Sequence, residues 1–412
     1  MWSISGGRRG AGLRWALALA FLPAIAFAHG GGGARAGVND LYVLESSAYQ
    51  VQVVRTDQNG IPKTNGAVIP IGNSSTSILS QARATPDNKS VWVIDTANAQ
   101  ITVIDTYSKN TSTFSIGTVG TSYPAFLVFS PAGDRAYITN EGTNTVTVVN
   151  TYTKTVIGNP IPVGCLPGEI AITPDGSKLY VPNIAGPVSN CAQTNPPPVV
   201  TTGSVSVIDT AQLKVVATVT VPCNGPNHCV PTTGSNPIDY SSPSPTGIRV
   251  SADGQFVYVT DAYDYNVGAS TGNYQPVQKG QVTIISTATN SIVKTIPNSG
   301  GYAPGDVGFS ADGSTAFVAN GGNDNYPYAQ IGVINTAAQN LTNVFTEPTP
   351  ATGAAEVDPA GCNNLIYVAN YGTGSGGESV VTINAATQQG ISVFTLPQGS
   401  FPQSLAVVPV SP

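Results

Sequence analysis

One short pattern recurs seven times along this chain: an aromatic residue, two residues that are mostly β-formers, and then an acid or amide. It reads Tyr42-Val-Leu-Glu45, Trp92-Val-Ile-Asp95, Tyr137-Ile-Thr-Asn140, Tyr180-Val-Pro-Asn183, Tyr258-Val-Thr-Asp261, Phe317-Val-Ala-Asn320 and Tyr367-Val-Ala-Asn370. Tight-turn signals precede six of these, as in Pro86-Asp-Asn88, Pro131-Ala-Gly133, Pro174-Asp-Gly176, Ala252-Asp-Gly254, Ala311-Asp-Gly313 and Pro359-Ala-Gly361. A second alternating run follows each, such as Val205-Ser-Val-Ile-Asp-Thr210, and then a more polar one, such as Ser291-Ile-Val-Lys-Thr-Ile296. Four alternating runs separated by turn residues make a small antiparallel sheet.

Repetition of a four-stranded unit every 40 to 50 or so residues is the signature of a β-propeller. The fold class is therefore all-β, a seven-bladed propeller of four-stranded antiparallel blades occupying residues 40–412 as one domain. Its first unit begins abruptly at Asp40-Leu-Tyr-Val43, without an innermost strand, and Phe401-Pro-Gln-Ser-Leu-Ala-Val-Val408 is a strand without a blade. Joining the two closes the ring and removes the free sheet edges. Composition agrees: 45 Gly and 32 Pro serve turns, and only 9% of residues are charged. The net charge of -6 and the lack of any Lys/Arg cluster exclude a nucleic-acid partner, which needs a basic face.

The recurrent Tyr-Val-x-Asn, Pro-Asp-Gly and Val-Ile-Asp-Thr elements resemble those of the YVTN-repeat β-propeller family, known from exported bacterial proteins and archaeal surface-layer proteins. The resemblance covers nearly all of residues 40–412 and implies the propeller fold; it implies little about activity, because that family is largely made of uncharacterised surface, periplasmic and binding proteins.

Arg8, Arg9 and Arg14 precede an apolar run, Trp15 to Phe27, that ends in Ala26-Phe27-Ala28. This is the pattern of a signal peptide, residues 1–28, followed by a flexible Gly-rich tail at 29–39. Export to the periplasm, the cell surface or the medium is expected, as a monomer with no membrane span once the signal is cleaved. An oxidising compartment suits disulfides. Cys165, Cys191, Cys223 and Cys229 cluster in and beside blade four, with Cys223–Cys229 and Cys165–Cys191 as the favoured pairs and Cys362 left alone.

Strand order assigns each loop to a face. The long insertions, at 184–202, 222–244, 262–279, 321–328 and 371–378, fall on one face, chiefly over blades four to six, whereas the opposite face keeps short turns. Loops on a rigid scaffold are where function concentrates. On the elaborated face Asp261, Tyr263, Asp264 and Tyr265 of blade five meet Asn320, Asn323, Asp324, Asn325, Tyr326 and Tyr328 of blade six as candidate ligand-binding residues. Their alternative role is turn formation. Carboxylate oxygens of Asp261, Asp264 and Asp324 suit Ca²⁺, the one cofactor indicated, and tyrosine rings suit a carbohydrate or another small ligand.

A second candidate set is Arg83, Glu169, Arg249, Asp306 and Glu356, charged residues on innermost strands in a chain with few charges. They form either a site in the channel or structural ion pairs. With only His29 and His228, a Ser-His-Asp triad or a multi-histidine metal site is excluded in practice.

The leading expectation is an exported propeller that binds a small ligand, carbohydrate or protein partner through its elaborated face and channel mouth, without catalysis. The alternative is a hydrolase similar to the seven-bladed lactonases, with the channel acids and arginines acting on a lactone. That resemblance implies an acid and arginine set supported by histidine, and neither histidine here lies on an inner strand. A third reading is a propeller subunit of a periplasmic redox complex, for which the chain carries no cofactor motif.

Overall fold

The computed structural model describes residues 38–73, 76–184, 203–221, 244–262, 265–267, 274–276, 280–297, 299–321, 328–350, 354–360, 364–370 and 378–410. The expected signal peptide and most of the Gly-rich tail lie outside these residues; Asn39, assigned to the tail by sequence, already opens the first strand.

Seven four-stranded antiparallel blades form the ring, and apart from the 3₁₀ turn Ser46–Ala48 the described residues contain no helix. Blade one combines Asn39–Glu45, Gln50–Thr56 and Pro62–Pro70 with the C-terminal strand Pro402–Pro409, which supplies its innermost position. Register runs from Asn39 opposite Pro409 to Glu45 opposite Pro402. Blade two runs Leu79–Ala84, Ser90–Asp95, Gln100–Asp105 and Thr111–Ser115 from the centre outward. The innermost strands of the following blades are Pro124–Phe129, Ala171–Ile172, Ser244–Val250, Tyr302–Phe309 and Ala354–Ala360. Each contacts the next round the ring, and the last contacts Pro402–Pro409, so the circle is closed. In blade seven Pro359 and Ala360 belong to this strand, which displaces the turn expected at Pro359-Ala-Gly361.

Turn chemistry explains why the motifs repeat. In blades two to six the residue before the Pro or Ala of the inner turn is Ser or Thr, and its hydroxyl donates to the turn aspartate: Thr85 to Asp87, Ser130 to Asp134, Thr173 to Asp175, Ser251 to Asp253 and Ser310 to Asp312. The Asp or Asn of Val-Ile-Asp-Thr accepts the N–H groups two and three residues on, as Asp209 does from Ala211 at 3.0 Å and Gln212 at 2.7 Å. The following threonine donates to the carbonyl of the inner turn, as Thr210 to Gly176 at 2.6 Å and Thr287 to Gly254 at 2.6 Å. These residues are consumed in holding the short-turn face together.

The core is likewise repeated. One apolar cluster fills each of the seven blade interfaces, for example Tyr180, Val205 and Val207 of blade four against Ile248, Val257 and Val259 of blade five. The motif aromatics are buried there. Three of them also donate to the next blade: Tyr42 to the carbonyl of Thr106, Tyr180 to Asn290 and Tyr367 to the carbonyl of Gly60.

Candidate functional site

Every innermost strand whose pairing is fully described carries a register shift near its start, so side chains recur at fixed levels. Just past the shift stand Ser404, Gln81, Phe126, Glu169, Gly247, Asp306 and Glu356 in blades one to seven. Two residues deeper stand Ala406, Arg83, Val128, Ala171, Arg249, Gly308 and Asp358. Glu169, Asp306 and Glu356 thus occupy the first level and Arg83 and Arg249 the second, and by backbone register Glu356 shares the level of Asp306: each pairs with the alanine preceding the last motif residue, Ala369 before Asn370 and Ala319 before Asn320.

An innermost strand faces the channel with one edge unpaired, so its N–H groups need partners. At three blade junctions the first-level side chain of one blade meets that need in the next. Ser404 Oγ accepts from Ala82 N at 3.1 Å, Gln81 Oε1 from Leu127 N at 2.8 Å, and Glu169 Oε2 from Ile248 N at 3.1 Å. Gly247 has no side chain to offer, and Val307 N donates instead to Asp306 Oδ1 at 2.7 Å. Gly168 and Gly247 also permit close approach: a Cβ at either would lie within 3 Å of the neighbouring strand's backbone, at Thr246 O and Gly305 O respectively.

The second carboxylate oxygen of Glu169 is left for cations. Arg83 Nη2 donates to Oε1 at 2.6 Å and Arg249 Nη2 lies 3.8 Å from it. Arg249 Nη2 also donates to both oxygens of Asp306, at 3.2 and 3.0 Å, while its Nε donates to Val307 O. The result is a row, Arg83–Glu169–Arg249–Asp306, drawn from blades two, four, five and six. The acids are nearly buried, at 7% and 5% side-chain exposure, and the arginines retain 15% and 25%. Chemically, the acids hold two guanidinium groups in place, and each guanidinium keeps part of its surface exposed.

The elaborated-face candidates have different surroundings. Asp261 is fully buried inside blade five: Oδ2 accepts from Gln281 Nε2 at 3.0 Å and Thr283 Oγ1 at 2.7 Å, Oδ1 has no partner, and desolvation pushes its pKa up to about 7. Asn320 is equally buried, accepting from Ser299 Oγ and donating to the carbonyls of Ser299, Val318 and Gln330. Both sit where Asn140 and Asn183 sit in blades three and four. Tyr265 lies in a two-stranded ribbon, Tyr265–Val267 with Tyr274–Pro276, and Tyr328 opens the third strand of blade six. Tyr263, Asp264, Asn323, Asp324, Asn325 and Tyr326 lie outside the described residues. Among the described residues no group of three or more His, Cys, Asp or Glu side chains converges to hold a metal. Cys165 is buried and disulfide-bonded; Cys191, Cys223, Cys229 and Cys362 lie outside the described residues. No described helix is long and apolar enough to cross a membrane.

Comparison with known proteins supports the propeller. A model of the family described as "Lactonase, 7-bladed beta-propeller" matches residues 41–185. That segment holds Arg83 and Glu169. It spans about a third of the chain and ends before Arg249 and Asp306. The motif likeness to YVTN-repeat propellers remains a resemblance. No curated protein matches the chain. Among solved structures, the periplasmic gluconolactonase of Pseudomonas aeruginosa is 18% identical, with a TM-score of 0.62 over 91% of this chain and 100% of that one. Hydrazine synthase of Kuenenia stuttgartiensis is 16% identical, with a TM-score of 0.59 over 82% and 92%. A functionally unknown protein from Desulfotomaculum acetoxidans is 15% identical, with a TM-score of 0.60 over 90% and 98%. At these identities the likeness establishes the fold.

Proposed function

We propose that this protein is an exported propeller of the lactonase type, whose channel binds a lactone or carboxylate through Arg83 and Arg249 and opens the lactone ring. The observation that carries the reading is the row of two partly exposed arginines fixed by two nearly buried acids. The family match to lactonase propellers over residues 41–185 supports it.

In such a reaction, water oxygen bonds to the carbonyl carbon, the ring C–O bond breaks, and the ring oxygen takes the proton that water loses. Charge develops on the carbonyl oxygen, where preorganised guanidinium groups stabilise it most. The product is a hydroxy acid whose carboxylate matches the same arginines. Both oxygens of Glu169 are already engaged, which makes it a positioning residue. Glu356, which backbone register alone puts on the level of Asp306 in the adjacent blade, is the carboxylate proposed to take the proton from water. Acid release from a panel of γ- and δ-lactones tests the reading. Arg249→Met is expected to lower kcat/KM by about a hundredfold, and Glu356→Gln to lower kcat with little change in KM.

The second reading, binding without turnover, is favoured by the same engagement of Glu169 and Asp306. Inertness towards every lactone, together with carboxylate binding that Arg249→Met abolishes, would select it. Neither turnover nor binding at the channel would overturn both.

A further inference from the structure

In every blade one inner residue lies opposite the last residue of the aromatic motif, and the residue just before it is bulky and apolar in four consecutive blades: Phe401, Ile78, Tyr123 and Leu166 in blades one to four. Hydrogen bonds establish the equivalence. The carbonyl of each accepts from the residue that follows the second strand of its blade: Phe401 from Ser46 Oγ at 3.2 Å, Ile78 from Thr96 N at 2.7 Å, Tyr123 from Glu141 N at 2.9 Å and Leu166 from Ile184 N at 3.1 Å. In blades five to seven the same position is small, with Ser244, Ala303 and Gly353.

These apolar side chains are not put away in a core. Ile78, Tyr123 and Leu166 are 59%, 41% and 47% exposed, and Phe401 is half-buried. Tyr123, Leu166 and Phe401 also hold positive φ angles of 46°, 51° and 46°, each directly before a proline. A bulky residue in that region costs about 1–3 kcal/mol, so the surroundings must enforce it. By strand order the four stand at the elaborated-face ends of the inner strands of blades one to four, an arc of consecutive positions round the ring. Glu169 and Asp306 lie three residues further along their strands, a depth on the order of 10 Å.

We infer that the channel takes amphiphilic ligands, a lactone or carboxylate head at Arg83 and Arg249 and an alkyl or acyl chain rising to the apolar arc of Phe401, Ile78, Tyr123 and Leu166. The inference rests on the channel reading above and narrows it: a polyhydroxylated sugar acid would leave its hydroxyl groups against apolar side chains at the mouth, whereas an alkyl chain removes that surface from water.

Calorimetric titration of the mature chain with butyrate, decanoate and gluconate separates the two claims. Decanoate is expected to bind at least about tenfold more tightly than butyrate or gluconate, since several methylenes lose contact with water. Ile78→Ser, at a position without backbone strain, is expected to weaken decanoate severalfold and leave butyrate unchanged; Tyr123→Ala should do the same if its melting curve is intact. Equal affinity for butyrate and decanoate, preference for gluconate, or equal loss of butyrate and decanoate in Ile78→Ser would overturn the amphiphile inference. Arg249→Met is expected to abolish binding of all three. Undiminished binding in that variant would overturn the channel reading itself, and the inference with it.

Discussion

Arg83 of blade two lies 2.6 Å from Glu169 of blade four, so this ion pair reaches past the whole of blade three. Glu169 does two jobs that a single substitution can separate. Its Oε2 accepts from Ile248 N, as the neutral amide oxygen of Gln81 accepts from Leu127 N in blade two. Glu169→Gln is therefore expected to keep that bond while removing the carboxylate charge that Arg83 and Arg249 share. Removing one partner from a largely buried set leaves charge uncompensated, and a loss of about 2 kcal/mol is expected after allowing for the partial exposure of the arginines. Urea unfolding measures it, and the loss should shrink in the Arg83→Met background, because the nearer of the two cations beside Glu169 is then already absent.

Asp261 makes blade five sensitive to pH. Burial raises its pKa to about 7, so the folded state binds a proton that the unfolded chain releases near pH 4. Between those values the unfolded state holds fewer protons, and stability falls as pH rises, by about 4 kcal/mol in total, levelling above pH 7. Asn140 donates to Thr147 Oγ1 and Asn183 to Ser206 Oγ at the equivalent positions, so an amide fits this slot. Asp261→Asn is expected to stabilise the protein at pH 8 and to change little at pH 4, as read from unfolding curves at both values.

Two motif tyrosines carry opposite predictions. Tyr180 Oη donates to Asn290 Oδ1 at 3.0 Å, whereas Tyr258 Oη is buried without a partner and its pKa is pushed up to about 12 by burial. Tyr180→Phe is expected to cost about 1 kcal/mol, and Tyr258→Phe to be neutral or slightly stabilising, since an unsatisfied hydroxyl is removed. The edge-to-face contact of Tyr258 with Phe309 survives in phenylalanine. Thermal melts of the two variants should move in different directions.

Ending the chain before Phe401 removes the innermost strand of blade one. Leu405, Ala406 and Val408, all buried, go with it, and the edge of Asn39–Glu45 is exposed to the channel. Loss of a single cooperative melting transition is expected. A truncated chain that melts like the intact one would contradict the closure.

The ring was legible in the sequence because one unit is written seven times, and because its turn Ser, Asp and Asn residues bond within a few positions of one another. The channel charges were legible as an anomaly, but their partnership was not: Arg83 and Glu169 are 86 residues apart and meet only when the ring closes. Asp261 and Asn320 were read with the loops that follow them. Their recurrence as the last residue of the motif in every blade was the signal that they serve the scaffold. The apolar arc went unread for a similar reason. Ile78, Tyr123, Leu166 and Phe401 share a place in the strand register, and they share no residue type.

The most direct measurement is a crystal structure of the mature protein with a terminally brominated decanoate, in which anomalous scattering locates the chain end. The account predicts the carboxylate within about 3 Å of the Arg83 and Arg249 guanidinium groups and bromine at the arc of Ile78, Tyr123, Leu166 and Phe401. A carboxylate bound outside the channel, beyond hydrogen-bond reach of both arginines, would contradict it.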